Sequence, residues 1–485
     1  MAYGAKIVKN AFWLMAATTG QKILAFVAFT IVARLIGKEL TGVYFYAVSI
    51  TSIFVTFTDL GMTPVIIRAI AGSREDGERL LNAALRSKIA LVPLSIIAAL
   101  IYAIAFGADT VTLATVAIAC LVMSADTVHM VLYATLRGRQ NLRPESIGMV
   151  VGQLLTATVS VAAAVLGYGP IGLAVALLAG SSWNVVWSSM QARRAGIKLL
   201  APRMKDYRQL AVEALPFGIA GIAVKVYSYV DSLFINIFHG PAAVGLYAVA
   251  YKLTYALQFL PLTFVAALYP ALASAYAKGE HDELRNSFLG SCRLMAAVAF
   301  PLSAGLSALS PKLIPLLYGS DFLGTIPAFT VLPWVLFPIF LDFPIGSLLN
   351  SPHRARLKTH AMVATMFINI AMNAILVPPY GPLGAAWAGV VSFWALYLIG
   401  AWYSRSFVGI RYFVSLTLRG LLAAGVSWYA WAVIGEPMNL FAAAVFGGSV
   451  AVVMAFAVRF VTVDDVYNFI RRFRPAPLKV ESPHD

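Results

Sequence analysis

Three lysines stand inside apolar stretches of the chain, where a charge is costly. Lys22 lies near the middle of the run from Asn10 to Gly37, and Lys225 and Lys252 lie in two later runs. A lysine at the centre of a bilayer costs about 3 kcal/mol on insertion scales, so such a side chain usually faces a bundle interior or a water-filled cavity. Snorkelling to the interface is the alternative, but Lys22 is about twelve residues from either end of its run. With Arg34, which is nearer the end of the first run, the lysines form a basic set suited to a large anion such as a pyrophosphate.

Four other titratable residues are candidates for ion coupling. Asp59 continues a stripe of hydroxyl side chains on one helical face of the second apolar run. Asp126 and His129 are one helical turn apart and could relay protons, because histidine titrates near neutrality. Asp231 lies in the same run as Lys225. For each acidic residue the alternative is a structural hydrogen bond or ion pair within the helix bundle.

Aromatic hydroxyl side chains accompany the lysines, and four of them are predicted to line the same cavity as sugar-contacting faces. They are Tyr44, Tyr229, Tyr251 and Tyr255. Packing or an interfacial position is the alternative for each ring. The sequence shows no catalytic nucleophile, no cluster of metal ligands and no cofactor motif, so neither an enzyme nor a bound cofactor is expected.

Fourteen long apolar runs must position these residues. The chain is 60% hydrophobic and 12% charged, whereas a soluble domain carries about 25% charged residues. We therefore expect an all-α polytopic membrane protein, because about 20 apolar residues suffice for a helix to cross a bilayer. The spans are expected at residues 10–36, 41–67, 85–107, 111–136, 144–167, 170–191, 209–238, 242–276, 287–309, 324–350, 357–378, 382–404, 410–434 and 438–461.

The runs also show an internal repeat. Gly42-Val43-Tyr44 follows the first run, and Gly245-Leu246-Tyr247 follows the seventh, roughly 200 positions later. The same offset relates the lysines of the first and seventh runs. Tyr168-Gly169-Pro170 is matched by Tyr380-Gly381-Pro382 at a similar offset. Two echoes in the same order predict a duplicated unit, as in many transporters.

Basic residues are concentrated in alternate connections between the spans. Most of the 36 lysines and arginines fall on one side, including those from Arg68 to Lys88 and from Arg193 to Arg208, whereas the other connections hold only Lys38 and Lys312. By the positive-inside rule, both termini are expected in the cytoplasm and the protein in the inner membrane. The net charge of +15 then follows from topology and from contact with anionic lipids, with no nucleic-acid partner required.

With these features the chain resembles the bacterial polysaccharide-unit flippases of the Wzx type, within the multidrug/oligosaccharidyl-lipid/polysaccharide exporter superfamily. The resemblance rests on the spans, the related halves and short segments at Gly42–Tyr44, Asp59–Gly61 and Leu136–Leu142 together with the Tyr-Gly-Pro turns. It implies two six-helix lobes related by a pseudo-twofold axis, two further helices, and a cavity that opens alternately to either side. The corresponding ranges are 1–204, 205–405 and 406–461, followed by a cytoplasmic tail at 462–485.

The resemblance implies that the substrate is an undecaprenyl-pyrophosphate-linked oligosaccharide repeat unit for O-antigen, capsule or exopolysaccharide synthesis. Basic cavity roles then fall on Lys22, Lys225, Lys252 and Arg34. Expected partners are this lipid-linked glycan, membrane lipids, H⁺ or Na⁺ for coupling, and the polysaccharide polymerase machinery. Three alternatives stay open: a lipid II flippase, a cation-coupled drug exporter, and a membrane polymerase or acyltransferase. A cation exporter would need carboxylates where this chain has deep lysines, and an enzyme would need a long exposed loop.

Overall fold

The computed structural model describes residues 2–198, 200–261, 281–349 and 355–462, and within them every regular element is a helix. The first seven helices are α1 (Ala2–Asp59), α2 (Met62–Gly72), α3 (Arg74–Ala105), α4 (Thr110–Gly138), α5 (Arg143–Val165), α6 (Gly169–Arg194) and α7 (Met204–Ala256). The others are α8 (His281–Ala308), α9 (Ser310–Tyr318), α10 (Ile326–Val331), α11 (Leu336–Leu349), α12 (Ala355–Val408), α13 (Ile410–Tyr429) and α14 (Leu440–Ala457). Short 3₁₀ turns at Ser320–Thr325 and Leu332–Val335 flank α10.

Ten segments of the described chain are long and apolar enough to cross a membrane. The prediction of an all-α polytopic membrane protein is thereby confirmed, while the count of fourteen spans stays a prediction. Three of the longest helices, α1, α7 and α12, are kinked at Gly37, Gly240 and Gly381, whose φ angles are 79°, 75° and 54°. Only glycine adopts this left-handed region without strain, so each kink separates two helical segments.

The kinks of α1 and α7 bring two glycines of the repeat into direct contact. A β-carbon on Gly42 would lie 1.7 Å from the carbonyl oxygen of Pro241, and one on Gly245 would lie 1.8 Å from the carbonyl oxygen of Lys38. This reciprocal contact is what a pseudo-twofold axis between two repeats produces. We call this end of the molecule, from Gly37 to Gly42 and from Gly240 to Gly245, the far side.

Polar contacts at the far side reinforce the glycine contact. The backbone N–H of Lys38 donates to Oδ2 of Asp321 at 2.8 Å, and Nζ of Lys38 lies 3.2 Å from Oδ1 of the same carboxylate. Arg34 donates to the carbonyl oxygen of Leu316 at 3.1 Å. The far side is therefore held closed by contacts of the first lobe with α7, α9 and the turn that follows α9.

The two lobes also touch at the opposite end, which we call the basic side and define by Leu60 to Arg68 and Arg203 to Glu213. The predicted second span is interrupted there, because α1 ends at Asp59 and α2 begins at Met62. Gly61, with φ of 81°, lies in this turn, and a β-carbon on it would be 2.4 Å from the backbone nitrogen of Gly218 in α7. Arg68 and Glu213 form an ion pair across the same interface at 2.8 Å.

Candidate functional site

Lys252 lies among aromatic rings between the lobes. Its Nζ atom is 5.5 Å from the ring centre of Phe29 and 5.7 Å from that of Phe45, both in α1. Nζ of Lys225 lies 5.3 Å from the ring centre of Tyr229, one helical turn further along α7. Cation–π contacts of this kind contribute about 0.5–2 kcal/mol each but leave the positive charge in place.

Tyr229 is the residue that the lysines share. It lies close enough to Lys225 and Lys252 for their charges to act on its hydroxyl group. Lys22 in turn is close enough to Lys252 for their positive charges to repel one another. The structure therefore brings together the three lysines that the sequence singled out. We call Lys22, Lys225 and Lys252 the lysine cluster.

A stack of tyrosines forms the wall beside the lysine cluster. The rings of Tyr251 and Tyr255 are stacked with centroids 4.2 Å apart, and Tyr229 lies 6.0 Å from Tyr251. Phe45 closes the row at 5.5 Å from Tyr251. Tyr251 and Tyr255 are one turn apart on α7 and therefore face the same way. Tyr229 precedes the kink at Gly240 and Phe45 lies in α1, so the packing of α7 against α1 completes the wall.

The lysine cluster has no acidic partner in the described part of the chain. None of its three members forms an ion pair with an aspartate or glutamate there. Each of them is half-buried. Three positive charges without counter-charge in a region shielded from water attract an anion strongly, because the effective dielectric constant is low.

Two predicted site residues lie elsewhere. Arg34 is exposed at the far side, about 18 Å from Lys22 along α1 at a rise of roughly 1.5 Å per residue. Tyr44 is half-buried and packs against a small cluster formed by Val32, Ala164 and Leu173 inside the first lobe. Helical periodicity assigns a residue to a face, but it does not say which neighbouring helix that face meets.

Asp59 has a partner that the sequence reasoning missed. By sequence Lys88 belongs with the basic connections, but its side chain is only 3% exposed. Its Nζ atom donates to the carbonyl oxygen of Thr58 at 3.0 Å and to Thr127 at 2.6 Å, and lies 3.5 Å from Oδ1 of Asp59. The correction has a simple cause: α3 begins at Arg74, so Lys88 is already deep in the helix when the apolar part starts. One feature of the sequence could have revealed this pair. Lys88 directly precedes an apolar run, and Asp59, in the run before it, had no assigned partner.

Asp126 and His129 line a separate cavity in the first lobe. Oδ1 of Asp126 accepts a hydrogen bond from Ser181 at 2.6 Å and lies 3.1 Å from Nε2 of His129. The cavity has a volume of about 360 Å³ and is bordered by residues of α1, α2, α4, α5 and α6. The predicted contact between the two residues is therefore present.

Asp231 is buried in the second lobe, with 2% of its surface exposed. Its carboxylate accepts hydrogen bonds from Tyr247 at 2.6 Å and from Asn373 at 2.6 Å. Asn373 also donates to Oδ1 of Asn369 at 3.2 Å. No basic side chain of the described residues pairs with Asp231, so this oxygen-rich group can hold a proton or a small cation. The described residues contain no cluster of three or more histidine, cysteine, aspartate or glutamate side chains that could hold a metal ion.

Known proteins share both the sequence pattern and the fold. Residues 7–276 match the family described as polysaccharide biosynthesis protein, and residues 216–375 match the MatE family. The chain is 24% identical over 417 residues to the probable low-salt glycan biosynthesis flippase Agl15 of Haloferax volcanii, which covers 83% of this chain and 85% of that protein. It is 27% identical over 209 residues to the teichuronic acid biosynthesis protein TuaB of Bacillus subtilis, which covers 42% of this chain and 43% of that protein.

Solved structures extend the comparison to three dimensions. The lipid II flippase MurJ in an inward closed conformation matches with a TM-score of 0.72 at 16% identity, over 91% of this chain and 97% of that one. An inward-facing multidrug resistance MATE transporter matches with a TM-score of 0.65 at 16% identity, over 80% of this chain and 95% of that one. At such identities the match shows a common fold only. The first family match spans more than half of the sequence, and the chain therefore belongs to the polysaccharide biosynthesis protein family, with the fold shared by MurJ and the MATE transporters.

Proposed function

We propose that the protein is a flippase that moves undecaprenyl-pyrophosphate-linked oligosaccharide repeat units across the cytoplasmic membrane, for O-antigen, capsule or exopolysaccharide synthesis. The observation that carries this proposal is the lysine cluster, three lysines without acidic partners in the described chain beside a wall of tyrosines. A relative similar over most of the chain is described as a probable glycan biosynthesis flippase, which supports the same activity.

The chemistry of the substrate explains why such a site is needed. Sugars and a pyrophosphate cannot cross hydrocarbon unaided, because every polar group would lose its hydrogen bonds to water. The lysine cluster supplies opposite charge to the pyrophosphate, and the faces of Tyr251 and Tyr255 suit sugar rings. The polyprenyl tail meanwhile remains in the lipid. The protein lowers the barrier by binding the headgroup alone.

We infer that transport proceeds by alternating access between the two lobes. At the far side the lobes meet through Gly42 and Gly245, and at the basic side through Gly61 and Gly218. Each contact has backbone against backbone, so it can separate without burying or exposing a large side chain. Opening one contact while the other stays closed would expose the lysine cluster to one side of the membrane at a time.

Energy for the cycle has two candidate sources. Outward movement of a negative headgroup, with both termini cytoplasmic, is favoured by about 2.3 kcal/mol per charge per 100 mV of membrane potential. Return of the empty carrier leaves the lysine cluster without its anion, and a coupled H⁺ or Na⁺ would help at this step. Of the proposed coupling residues, Asp231 is the best placed, because it is buried without a basic partner, whereas Asp59 has Lys88 and Asp126 has Ser181 and His129.

Flipping of fluorescent or radiolabelled lipid-linked glycans in reconstituted vesicles tests the proposal. Lys225→Ala and Lys252→Ala each remove a charge-assisted contact, and we expect roughly tenfold to hundredfold weaker substrate binding for each. Arginine at the same positions keeps the charge and should retain part of the activity. Lys205→Ala, at an exposed lysine of the basic side, is the matched control. Wild-type flipping by the double alanine variant would refute the role of the cluster.

A lipid II flippase is the second candidate, because a relative that is 21% identical over 248 residues, MurJ of Bacillus subtilis, is described as a lipid II flippase. The same vesicles separate the two, since lipid II carries a peptide on its sugars and an oligosaccharide repeat unit does not. Faster flipping of lipid II than of a peptide-free lipid-linked oligosaccharide would favour the second candidate.

A further inference from the structure

The cavity of the first lobe is distinct from the lysine cluster. Its lining comes from α1, α2, α4, α5 and α6, with no residue of α7 or any later helix, whereas the lysine cluster is formed by α1 and α7. The side chain of Asp126 is 39% exposed, which shows that the cavity is open. The two sites lie on neighbouring faces of α1, because Gln21 of the cavity immediately precedes Lys22 of the lysine cluster.

Glycines on α5 make room for the polar side chains of this cavity. A β-carbon on Gly148 would lie 2.0 Å from the hydroxyl of Tyr133, and one on Gly152 would lie 2.4 Å from Nδ2 of Asn184. The hydroxyl of Tyr133 donates to Oδ1 of Asn184 at 2.8 Å. Each glycine inside a helix costs about 1 kcal/mol relative to alanine. A polar wall maintained at that cost indicates a constructed site rather than a packing defect.

Several polar atoms of the wall lack hydrogen-bond partners in the described chain. The side-chain amides of Gln21 and Gln153 make no hydrogen bond there. Asp126 uses only Oδ1 for its bonds with Ser181 and His129, so Oδ2 is free to accept. The cavity therefore presents donors and acceptors together, in the mixture that sugar hydroxyls satisfy because each hydroxyl both donates and accepts.

Charge and size narrow the class of ligand. Arg137 and Glu145 at the edge of the cavity form a two-bond ion pair and cancel one another. Asp126 adds a negative charge, so the cavity does not favour a phosphate. A volume of about 360 Å³ corresponds to roughly a dozen water molecules at about 30 Å³ each, far more than one cation requires. It falls within the size range of small-molecule pockets, about 300–1,000 Å³.

We propose that this cavity is the subsite for the neutral sugars next to the pyrophosphate of the lipid-linked glycan. The inference rests on the proposed flippase function and adds a division of labour to it. The lysine cluster holds the charged part of the headgroup, and the cavity of the first lobe holds the uncharged sugar bonded to it. Gln21 and Lys22 are consecutive residues of α1 whose side chains point roughly 100° apart, so the cavity and the lysine cluster lie on neighbouring faces of one helix, as a sugar and the pyrophosphate bonded to it require. Recognition of the sugar, and with it the choice among glycans, then lies in the first lobe.

Two lipids with the same polyprenyl chain test this subsite on the full-length protein in vesicles: a polyprenyl pyrophosphate without sugar, and one that carries a neutral disaccharide. Gln153→Ala is the chief variant, since this side chain makes no bond within the described protein and its loss leaves the fold intact. We expect Gln153→Ala to bind the glycosylated lipid about five- to tenfold more weakly and the sugar-free lipid as well as wild type does. Gln191→Ala, on α6 outside the cavity, is the matched control.

The outcomes separate failure of the subsite from failure of the flippase function. Lys252→Ala should weaken binding of both lipids. Two results overturn the sugar subsite while the flippase function stands. In the first, Gln153→Ala weakens the binding of both lipids equally. In the second, the Gln153→Ala, Gln21→Ala double variant binds both lipids as well as wild type does. A changed response to Na⁺ or pH with unchanged glycan binding also overturns it and assigns the cavity to a cation. Wild-type protein that binds neither lipid overturns both proposals.

Discussion

Replacement of Gly245 by alanine should open the far side. A β-carbon there would lie 1.8 Å from the carbonyl oxygen of Lys38 and 2.7 Å from its carbonyl carbon. These are backbone atoms, which cannot rotate away as a flexible side chain can. Non-bonded heavy atoms rest near 3.5 Å, so the two kinked segments must move apart by roughly 1.5 Å to accept the methyl group.

The expected magnitude follows from the cost of overpacking. Insertion of a methyl group into a well-packed contact costs about 1–3 kcal/mol when the surroundings cannot relax. Here the surroundings can relax by separating the lobes at the far side, so the cost applies to the closed arrangement alone. A mutation shifts a two-state equilibrium by the difference between its free-energy effects on the two states. A cost of about 1–3 kcal/mol on the closed state alone corresponds to a shift of roughly 5- to 150-fold toward the open state.

Distances between spin labels on either side of the contact measure this shift. Labels at Glu39 and Phe238, both exposed, flank the glycine pair, in a background where the buried thiols of Cys120 and Cys292 are replaced by serine. We expect Gly245→Ala to add a longer-distance population and to slow flipping. Gly221→Ala is the matched control, since a β-carbon there has nothing within 4 Å. A wild-type distance distribution in Gly245→Ala would refute the reasoning.

Three further results are expected. Asp59→Asn leaves the buried Lys88 ammonium without counter-charge and should lower the free energy of unfolding by about 3 kcal/mol. Adding Lys88→Met should recover part of that stability, as measured by thermal unfolding. A double variant no more stable than Asp59→Asn alone would count against the ion pair. Asp231→Asn should bind the glycan lipid normally yet flip it at a rate independent of imposed Na⁺ or pH gradients, and a wild-type gradient response would argue against coupling there. Reporter fusions at Arg203 and Asp321 should report cytoplasm and exterior respectively, and the reverse would invalidate the topology.

The sequence was informative where a residue conflicted with its surroundings. Lys22, Lys225 and Lys252 are conspicuous because each is a charge inside an apolar run, and the structure brings all three together around Tyr229. The repeat was visible for a related reason. Gly42 recurs as Gly245 because each must admit the backbone of the other repeat, so neither position accepts a side chain.

Partners across helices could not be obtained in the same way. Tyr44 fits the pattern of a cavity tyrosine, but it packs with Val32 and Leu173 because the rotation of α1 about its axis is set by neighbouring helices. Periodicity fixes relative directions within one helix and leaves its rotation undetermined. The broken second span at Leu60 and Gly61 was missed because Gly61 is left-handed to fit against Gly218, a residue far away in sequence.

Charges inside the bilayer sort into two kinds once their partners are known. Lys88 has Asp59 and Glu145 has Arg137, so these ions need no ligand and hold neighbouring segments together. The lysine cluster and Asp231 have no partner of opposite charge within the described chain. Because an uncompensated ion in a low-dielectric region costs several kcal/mol, such a group persists where something outside the protein supplies the opposite charge for part of the cycle. An anion at the lysines and a cation or proton at Asp231 would meet that requirement.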